Sequence, residues 1–362
     1  MAKKLLYCAS NNRHLLHFHV PYIKIIEDMG ITVDILSKGE AIDFPNNNFF
    51  NVNFQKSILS LKNIKVATAI RKHLKKEQYD FIYLNTSLTA ALVRLAIPLK
   101  LIKKTKVINL CHGYFFGKGV PKKKNTMYLL IEKVLRRRTD HIITMNGEDD
   151  DYAKTEKLCM SKSYFVHGMG LDSGRYSYNA VVSKGDTINL LYVAEHSERK
   201  NHVELLYAMQ HAVIRGADLE LYLAGDGKLM EENEKTAKRL NIKDRVHFLG
   251  YLSDIENLYK KCDFSVSPSK IEGLPFTIME SLASGLPCVV SDVKGNRDLI
   301  DATNGFTYKL GEVDDLADIL LSLDKLTESY KTMKKSASES IFKNTIEQTS
   351  IAFKKIFDEI FE

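Results

Sequence analysis

Two glutamates, Glu272 and Glu280, flank a Gly-Leu-Pro turn with a spacing that suits a two-carboxylate binding site. The run Asp263 to Pro268 before them is typical of a strand, and Pro275 suits the first turn of a helix, where its missing N–H costs nothing. We therefore predict Glu272 on a loop and Glu280 about a turn and a half inside the helix. The helix start between them offers N–H groups to an anion. One carboxylate for a sugar, amides for a diphosphate and one carboxylate for a ribose would fit a nucleotide-sugar.

At these residues the chain resembles the retaining GT-B glycosyltransferases of group 1 (family four), and most closely the branch that builds bacterial capsular and exopolysaccharides. The paired-glutamate motif of that family, Glu-x7-Glu, matches Glu272 and Glu280. The alternative is that both are ordinary charges favoured by the dipole at a helix start. The Gly-Leu-Pro-Phe between them and the Ala-Ser-Gly-Leu-Pro that follows favour the motif.

The resemblance also implies roles for residues elsewhere in the chain. Lys200 matches the family lysine that contacts the donor diphosphate, and Arg199 is a second candidate contact. Many relatives carry an arginine where this chain has Glu195, so that contact would pass to Arg199. His112, in a His-Gly-aromatic loop after a strand, matches a family histidine that faces the donor sugar. The alternatives are a solvated Arg-Lys loop and a structural histidine.

The predicted site therefore has a catalytic, a donor and an acceptor part. Glu272 would contact sugar hydroxyls and stabilise the transition state, with His112 beside the sugar. The predicted donor-binding residues are Arg199, Lys200, Gly273, Leu274, Pro275, Phe276 and Glu280. The candidates for acceptor or phosphate contacts are Arg13, His19 and Lys118.

Strand and helix signals alternate along the chain. The strands are short, apolar and without alternation, which is typical of an α/β fold whose parallel sheet is covered on both faces. The resemblance implies the GT-B architecture: two Rossmann-like domains facing across a cleft, with a C-terminal helix crossing back to the first domain. We predict an acceptor-binding domain at 1–175, a nucleotide-sugar-binding domain at 176–340 and the returning helix at 341–362. A linker is predicted at Gly168 to Gly185, and a single helix at Phe18 to Met29.

The net charge of +7 is concentrated in two segments. Lys100 to Arg138 carries twelve lysines and arginines against one acid, Glu132, and Lys62 to Lys76 carries six more. Apolar residues alternate with these charges, which favours contact with an anionic membrane surface, although a solvated helix face is the alternative. No nucleic-acid motif accompanies the charge, so no nucleic-acid partner is expected. The most apolar stretch, Thr89 to Ile102, is interrupted by Arg94 and is too short to span a bilayer.

The cysteines and histidines indicate neither disulfides nor a metal. The five cysteines are scattered without Cys-x2-Cys spacing, and the first residues lack the apolar run of a signal peptide, so a reducing cytoplasm is expected. Of His14, His17 and His19, only the first two have a useful helical spacing, and no carboxylate partner is evident. We therefore expect no metal and no cofactor. Asp149 to Asp151 follow Asn146 and are interpreted as a helix start.

The resemblance implies an enzyme that moves a sugar, with retention of configuration, from a nucleoside-diphosphate sugar to a saccharide acceptor. A UDP-sugar donor and a lipid-linked acceptor in bacterial capsular or exopolysaccharide synthesis are favoured. The enzyme would work in the cytoplasm, peripherally on the inner face of the membrane. Two alternatives stay open: a UDP-sugar 2-epimerase on the same fold, and a non-catalytic nucleotide-binding component of a polysaccharide assembly complex.

Overall fold

The structure, a computed structural model, describes residues 3–40, 48–55, 60–176, 178, 187–326 and 328–362. The chain divides into two compact units, one formed by Met1–Gly170 with Ile346–Glu362 and the other by Leu171–Thr345. From residue 179 onward, the predicted linker, Gly168 to Gly185, lies outside the described residues. Each unit is built on one parallel sheet, so the predicted α/β class with two Rossmann-like domains is confirmed.

The first unit contains a seven-stranded parallel sheet. Its strands are β1 (Lys4–Cys8), β2 (Thr32–Ser37), β3 (Phe49–Asn51), β4 (Phe81–Asn85), β5 (Lys106–Leu110), β6 (His141–Thr144) and β7 (Lys162–Phe165). Their order in the sheet is β3-β2-β1-β4-β5-β6-β7. The central strands are buried along nearly their whole length, as expected when helices cover both faces. The order reverses between β1 and β4, and in such sheets ligands bind beyond the carboxyl ends at this reversal.

Before residue 171, the described part of the first unit contains six α-helices. They are α1 (Asn12–Phe18), α2 (Val20–Asp28), α3 (Lys62–Lys76), α4 (Ser87–Ala96), α5 (Lys122–Leu135) and α6 (Gly147–Thr155). The predicted single helix Phe18 to Met29 is wrong, because the chain breaks at His19 into α1 and α2. Pro21 explains the break, since it has no N–H to continue the ladder of α1 but suits the start of α2. The predicted cap of α6 is confirmed: the Asn146 side chain accepts from the Asp149 N–H.

The second unit repeats the architecture with six parallel strands. These are β8 (Ile188–Val193), β9 (Leu219–Ala224), β10 (Val246–Gly250), β11 (Phe264–Ser267), β12 (Cys288–Ser291) and β13 (Gly305–Tyr308), in the order β10-β9-β8-β11-β12-β13. The helices are α7 (His202–Ile214), α8 (Met230–Arg239), α9 (Glu256–Lys261), α10 (Phe276–Ala283), α11 (Val313–Ser322) and α12 (Glu328–Ser340). The reversal lies between β8 and β11, so the loops that follow these two strands border the predicted ligand crevice.

The last helix, α13 (Ile346–Phe361), belongs to the first unit. It packs on α2, where the rings of Tyr22 and Phe353 lie 4.3 Å apart between centroids. Phe357 is fully buried against the same sheet, with its ring 5.8 Å from that of Tyr83. The predicted return of the C-terminal helix to the first domain is therefore confirmed.

A buried ion pair joins α4 to α5. Arg94 has no exposed surface, and its guanidinium donates to both carboxylate oxygens of Glu132, at 2.8 and 2.9 Å. Its remaining donors reach the Thr139 hydroxyl and the Ala90 carbonyl. Glu132, the one acid of the basic segment Lys100 to Arg138, is therefore paired with a buried arginine inside the first unit. Within the described part of the chain, no helix combines the length and apolarity needed to cross a membrane.

Candidate functional site

The predicted donor-site residues gather at the strand-order reversal of the second unit. Arg199 and Lys200 lie on the loop after β8, and Glu272 lies on the loop after β11. The two strands are paired in parallel, with Phe264 opposite Leu190, so both loops leave the same edge of the sheet. Sheet topology therefore brings together charged residues that lie more than seventy positions apart in the sequence.

Glu272 accepts from both cations. The Lys200 ammonium lies 2.6 Å from one carboxylate oxygen, and the Arg199 guanidinium lies 3.0 Å from the other. The side chain of Glu272 is 6% exposed and that of Lys200 is 13% exposed, whereas Arg199 is half exposed at 46%. The group is therefore a compact charge cluster with one net positive charge and an open side at Arg199.

Burial and neighbouring charges shift the pKa of Glu272 in opposite directions. Burial alone would raise the pKa of Glu272, but the charges of Lys200 and Arg199 outweigh burial and hold that pKa below its ordinary value. Burial lowers the pKa of Lys200, and the charge of Glu272 offsets part of that shift. The carboxylate is therefore ionised at neutral pH, which keeps both cations aimed at one point.

Backbone contacts fix the position of the two loops. The Tyr192 hydroxyl, at the end of β8, donates to the Lys200 carbonyl at 2.7 Å and lies 3.1 Å from the Ser269 hydroxyl. The Lys270 N–H donates to the Arg199 carbonyl at 2.8 Å. Asn201 adopts a left-handed conformation, with φ of +55°, which asparagine tolerates better than most residues. The loops are thus linked at their backbones as well as through the charge cluster.

The start of α10 follows Glu272 directly. Pro275 is the residue before the helix, α10 begins at Phe276, and no side chain caps its first turn. Glu272 lies on the loop and Glu280 is the fifth residue of the helix, as predicted. Gly273 is packed against Gly295, where an added Cβ would lie 2.5 Å from the Gly273 carbonyl oxygen. Gly295 also has φ of +80°, so both space and conformation require glycine there.

Glu280 is half-buried on α10 and already has a partner. The Tyr259 hydroxyl donates to the Glu280 carboxylate at 2.9 Å. Burial and the nearby Glu280 charge raise the pKa of Tyr259, so the phenol stays protonated and remains a donor. The carboxylate is oriented by a tyrosine from the neighbouring helix α9, and it also lies beside the Tyr176 hydroxyl, whose pKa is raised by burial and by the Glu280 charge.

The first unit holds the remaining predicted residues. His112 follows β5, and His19 lies at the junction of α1 and α2, and the two rings are 5.4 Å apart between centroids. Arg13 is exposed on α1, and Lys118 is exposed on the loop after His112. The backbone N–H of Lys118 donates to the Glu148 carboxylate, which anchors that loop to α6. His19 and His112 are therefore brought together, while Arg13 and Lys118 lie on the surface.

Sequence reasoning missed the residues that position the cluster. Tyr192 resembles a core residue of β8, and its hydroxyl contacts only become visible when β8 and β11 are paired. Ser269 and Tyr259 had no distinguishing spacing. His14 was considered with His17 and His19 but not with His112, whereas in the structure its ring lies close to those of His19 and His112. Gly295 carried a weak signal, since an isolated glycine after a strand often marks a close backbone approach.

Comparison with known proteins identifies the chain. The family model "Glycosyl transferases group 1" matches residues 179–340, and "Glycosyl transferase 4-like" matches residues 4–146. The chain is also 30% identical to the putative glycosyltransferase EpsD of Bacillus subtilis over 323 residues, covering 86% of this chain and 85% of EpsD. The chain belongs to the group 1 glycosyltransferases. In this glycosyltransferase, the residues matched by the group 1 model lie in the second unit, which contains Lys200 and Glu272.

Two further similarities agree with this assignment. An Escherichia coli protein, UDP-Gal:alpha-D-GlcNAc-diphosphoundecaprenol alpha-1,3-galactosyltransferase, is 26% identical over 313 residues, covering 82% of this glycosyltransferase and 80% of the relative. The crystal structure of HepE from Anabaena in complex with UDP superposes with a TM-score of 0.72 at 18% identity, covering 99% of both chains. The GT-B fold expected for this glycosyltransferase is thereby confirmed.

Proposed function

We propose that this glycosyltransferase transfers a sugar from a UDP-sugar to a lipid-linked saccharide with retention of configuration. The observation that carries the proposal is the pairing of Lys200 and Arg199 with Glu272 at the carboxyl ends of β8 and β11, directly before the start of α10. This is the place in a parallel sheet where nucleotides bind. The E. coli relative, whose name states a UDP-sugar donor and a diphosphoundecaprenol-linked acceptor, supports the choice of both substrates.

The charge cluster is suited to a departing diphosphate. Glu272 holds Lys200 and Arg199 in place before any donor binds, so little reorganisation is needed when negative charge develops on the leaving group. A diphosphate would compete with Glu272 for the two cations and leave its carboxylate oxygens free to accept from sugar hydroxyls. The first turn of α10, from Phe276, adds the dipole of its N-terminus.

Retention is assigned to attack from the face of the leaving group. In this proposal the leaving diphosphate accepts the proton of the acceptor hydroxyl, and no enzyme carboxylate forms a covalent intermediate. Glu272 is poorly suited to act as a nucleophile, because both its oxygens accept from cations and its pKa is low. His112 is assigned to the sugar, and Arg13, His19 and Lys118 to the acceptor or its phosphates.

Glu280 is assigned to the ribose hydroxyls, and this assignment can be tested by nucleotide binding. UDP at about 100 times its dissociation constant should stabilise the protein by about 2.7 kcal/mol, visible as a shift in melting temperature. Glu280→Ala should lose most of this shift, because the carboxylate that Tyr259 orients is removed. GDP and dTDP, measured in parallel, identify the preferred nucleotide.

Glu231→Ala is the matched control for this measurement, since Glu231 is an exposed glutamate on α8 whose ion pair is with Lys235. UDP should raise the melting temperature of this variant as much as that of the wild type. A full UDP shift in Glu280→Ala would refute the ribose assignment. Conversion of the UDP-sugar to its epimer without any acceptor would instead refute the transferase proposal.

The acceptor is assigned to the basic and apolar surface of the first unit. The exposed residues of α3 to α5 combine apolar side chains with lysines, and a groove of about 420 Å³ between α3 and α4 is lined partly by Leu61, Ile64 and Leu95. On α5, Leu130 and Val134 are exposed, and the exposed lysines Lys122–Lys124 form the first turn of the same helix. Exposed apolar side chains next to lysines are typical of proteins that lie on anionic membranes. We propose that this surface brings the enzyme to its lipid-linked acceptor, on the cytoplasmic face.

Membrane contact should therefore depend on these lysines. Replacing Lys122, Lys123 and Lys124 with serine should weaken binding to vesicles of phosphatidylglycerol and phosphatidylcholine by about 3 kcal/mol, or about 100-fold, since each basic residue near lipid contributes about 1 kcal/mol. Co-sedimentation measures the effect. The control replaces three exposed lysines of the second unit, Lys238, Lys325 and Lys331. Equal loss in both variants would indicate that net charge alone, and no particular surface, governs binding.

A further inference from the structure

Three histidines converge in the first unit. His14 comes from α1, His19 from the junction with α2, and His112 from the loop after β5. One ring nitrogen of each lies within 4.8 Å of those of the other two, and the His14 Nδ1 lies 3.1 Å from the His19 Nε2. No other group of three or more histidine, cysteine or acidic side chains in the described part of the chain comes as close together. In the sheet β1 and β5 lie on either side of β4, so the segments that follow these two parallel strands leave the same edge and can meet.

The three rings are shielded from bulk water. The His19 side chain has no exposed surface, and His14 and His112 are partly buried. A neutral imidazole has one nitrogen with a free lone pair, which is the form that binds a metal. Each ring can therefore offer one nitrogen to an ion.

A tyrosine orients the central ring. The Tyr7 hydroxyl lies 2.8 Å from the Nδ1 of His19 and is fully buried, with its ring stacked on Tyr83 at 4.8 Å between centroids. A tyrosine hydroxyl can accept as well as donate, so the Nδ1–H of His19 can donate to it while Nε2 keeps its lone pair. Metal-binding histidines usually have such an acceptor behind the ring, which fixes both tautomer and orientation.

His112 supplies a buried nitrogen without a partner. Its Nε2 is shielded from solvent and has no hydrogen bond to any described residue. Leaving a buried polar atom unsatisfied is costly, and such atoms in native proteins call for an explanation. A cation held by His14 and His19 would also satisfy this atom.

From this geometry we propose that His14, His19 and His112 form a binding site for a divalent transition-metal ion, with Zn²⁺ as the favoured ion. Three imidazoles and no carboxylate suit zinc better than magnesium or calcium. In a tetrahedral site with Zn–N distances of about 2.1 Å, the ligand nitrogens lie about 3.4 Å apart. The pair His14–His19 is already close to this value, and the third ring must move by about an ångström. The sequence predicted no metal because His112 was not considered together with His14 and His19. This inference rests on the proposed function: the fourth position would stay open, and through it the ion would meet the acceptor and sugar groups assigned to His19 and His112.

The site can be tested by metal binding to the full-length, untagged protein after removal of metals with EDTA and gel filtration. Wild type should bind one Zn²⁺ per chain by calorimetry, and Co²⁺ should give the visible absorption of a tetrahedral complex. His14→Ala and His112→Asn should each abolish both signals. Tyr7→Phe should weaken binding by about 10–100-fold, as outer-shell changes typically do.

His17→Ala is the matched control, because His17 lies on the same helix, is exposed and has its ring against Phe18. It should bind as the wild type does. Absence of stoichiometric binding by the wild type, or unchanged binding by both His14→Ala and His112→Asn, would overturn the proposal. Circular dichroism excludes misfolding of either variant. The measurement uses no nucleotide, so its failure would leave the donor site of the second unit untouched.

Discussion

Replacing Lys200 with alanine should lower kcat for sugar transfer by about 10²–10³-fold. This is the usual cost of removing one preorganised group that stabilises charge in a transition state. Lys200 is nearly buried and lies 2.6 Å from one oxygen of Glu272, whereas Arg199 is half exposed and is already engaged with the other oxygen. Arg199→Ala should have a smaller effect, because its guanidinium is half exposed and its charge is better screened. Steady-state kinetics with a UDP-sugar and a lipid-linked acceptor measure both.

Lys270→Ala is the control for this comparison. Lys270 lies on the same loop as Glu272 and is exposed, and its contact with the Arg199 carbonyl is made by its backbone N–H. Its removal should leave kcat within a few-fold of the wild type. A similar loss of kcat in Lys270→Ala and Lys200→Ala would show that any change in these two loops impairs transfer, and that Lys200 has no specific role. Wild-type kcat in Lys200→Ala would remove the lysine from the reaction.

The same variant should change the pH dependence. In the wild type, the pKa of Glu272 is held below its ordinary value, so its contribution to stability is complete above the unfolded-state pKa and is lost as pH falls through the lower folded-state value. Without Lys200, burial still raises the pKa of Glu272 and is opposed only by the charge of Arg199 and a hydrogen bond with Ser269, so the pKa of Glu272 should rise. The acid limb of the pH–rate profile should then move to higher pH. An unchanged acid limb would contradict the assigned role of the ion pair.

Replacing Glu132 with alanine should destabilise the first unit by about 3–5 kcal/mol. Removing one partner of a buried ion pair leaves the other charge without compensation, and Arg94 has no exposed surface at all. The two hydrogen bonds between guanidinium and carboxylate are lost together. Hydrogen exchange measured by mass spectrometry should show faster exchange in α4 and α5, while peptides of the second unit keep the wild-type rate.

Glu359→Ala is the matched control, because Glu359 pairs with Lys162 on the surface, where both side chains are about half exposed. Such pairs contribute about 0–1 kcal/mol. The double variant Arg94→Met with Glu132→Leu should recover most of the lost stability, since buried pairs can often be replaced by apolar residues at little cost. A cost below 1 kcal/mol for Glu132→Ala would show that Arg94 finds another partner or water.

The sequence was sufficient to predict where Glu272 and Glu280 lie in the fold. Glu272, the turn and Glu280 are close together in the chain, so local preferences decide that one lies on the loop and the other on the helix. The apolar, non-alternating strands likewise determine a covered parallel sheet. The helix break at His19 was missed, although Pro21 was a sufficient signal, because the apolar pattern runs across the break.

Only the tertiary structure decided which distant residues meet. Arg94 interrupts an apolar stretch and Glu132 is the lone acid of a basic segment, and neither fact indicates that they form one buried pair. His14 and His112 are nearly a hundred residues apart, and the order of strands in the sheet brings them together. The physical reason is that burial, pKa and ion pairing depend on what packs against a side chain. Local sequence determines how an element forms, whereas the packing of whole sheets determines its neighbours.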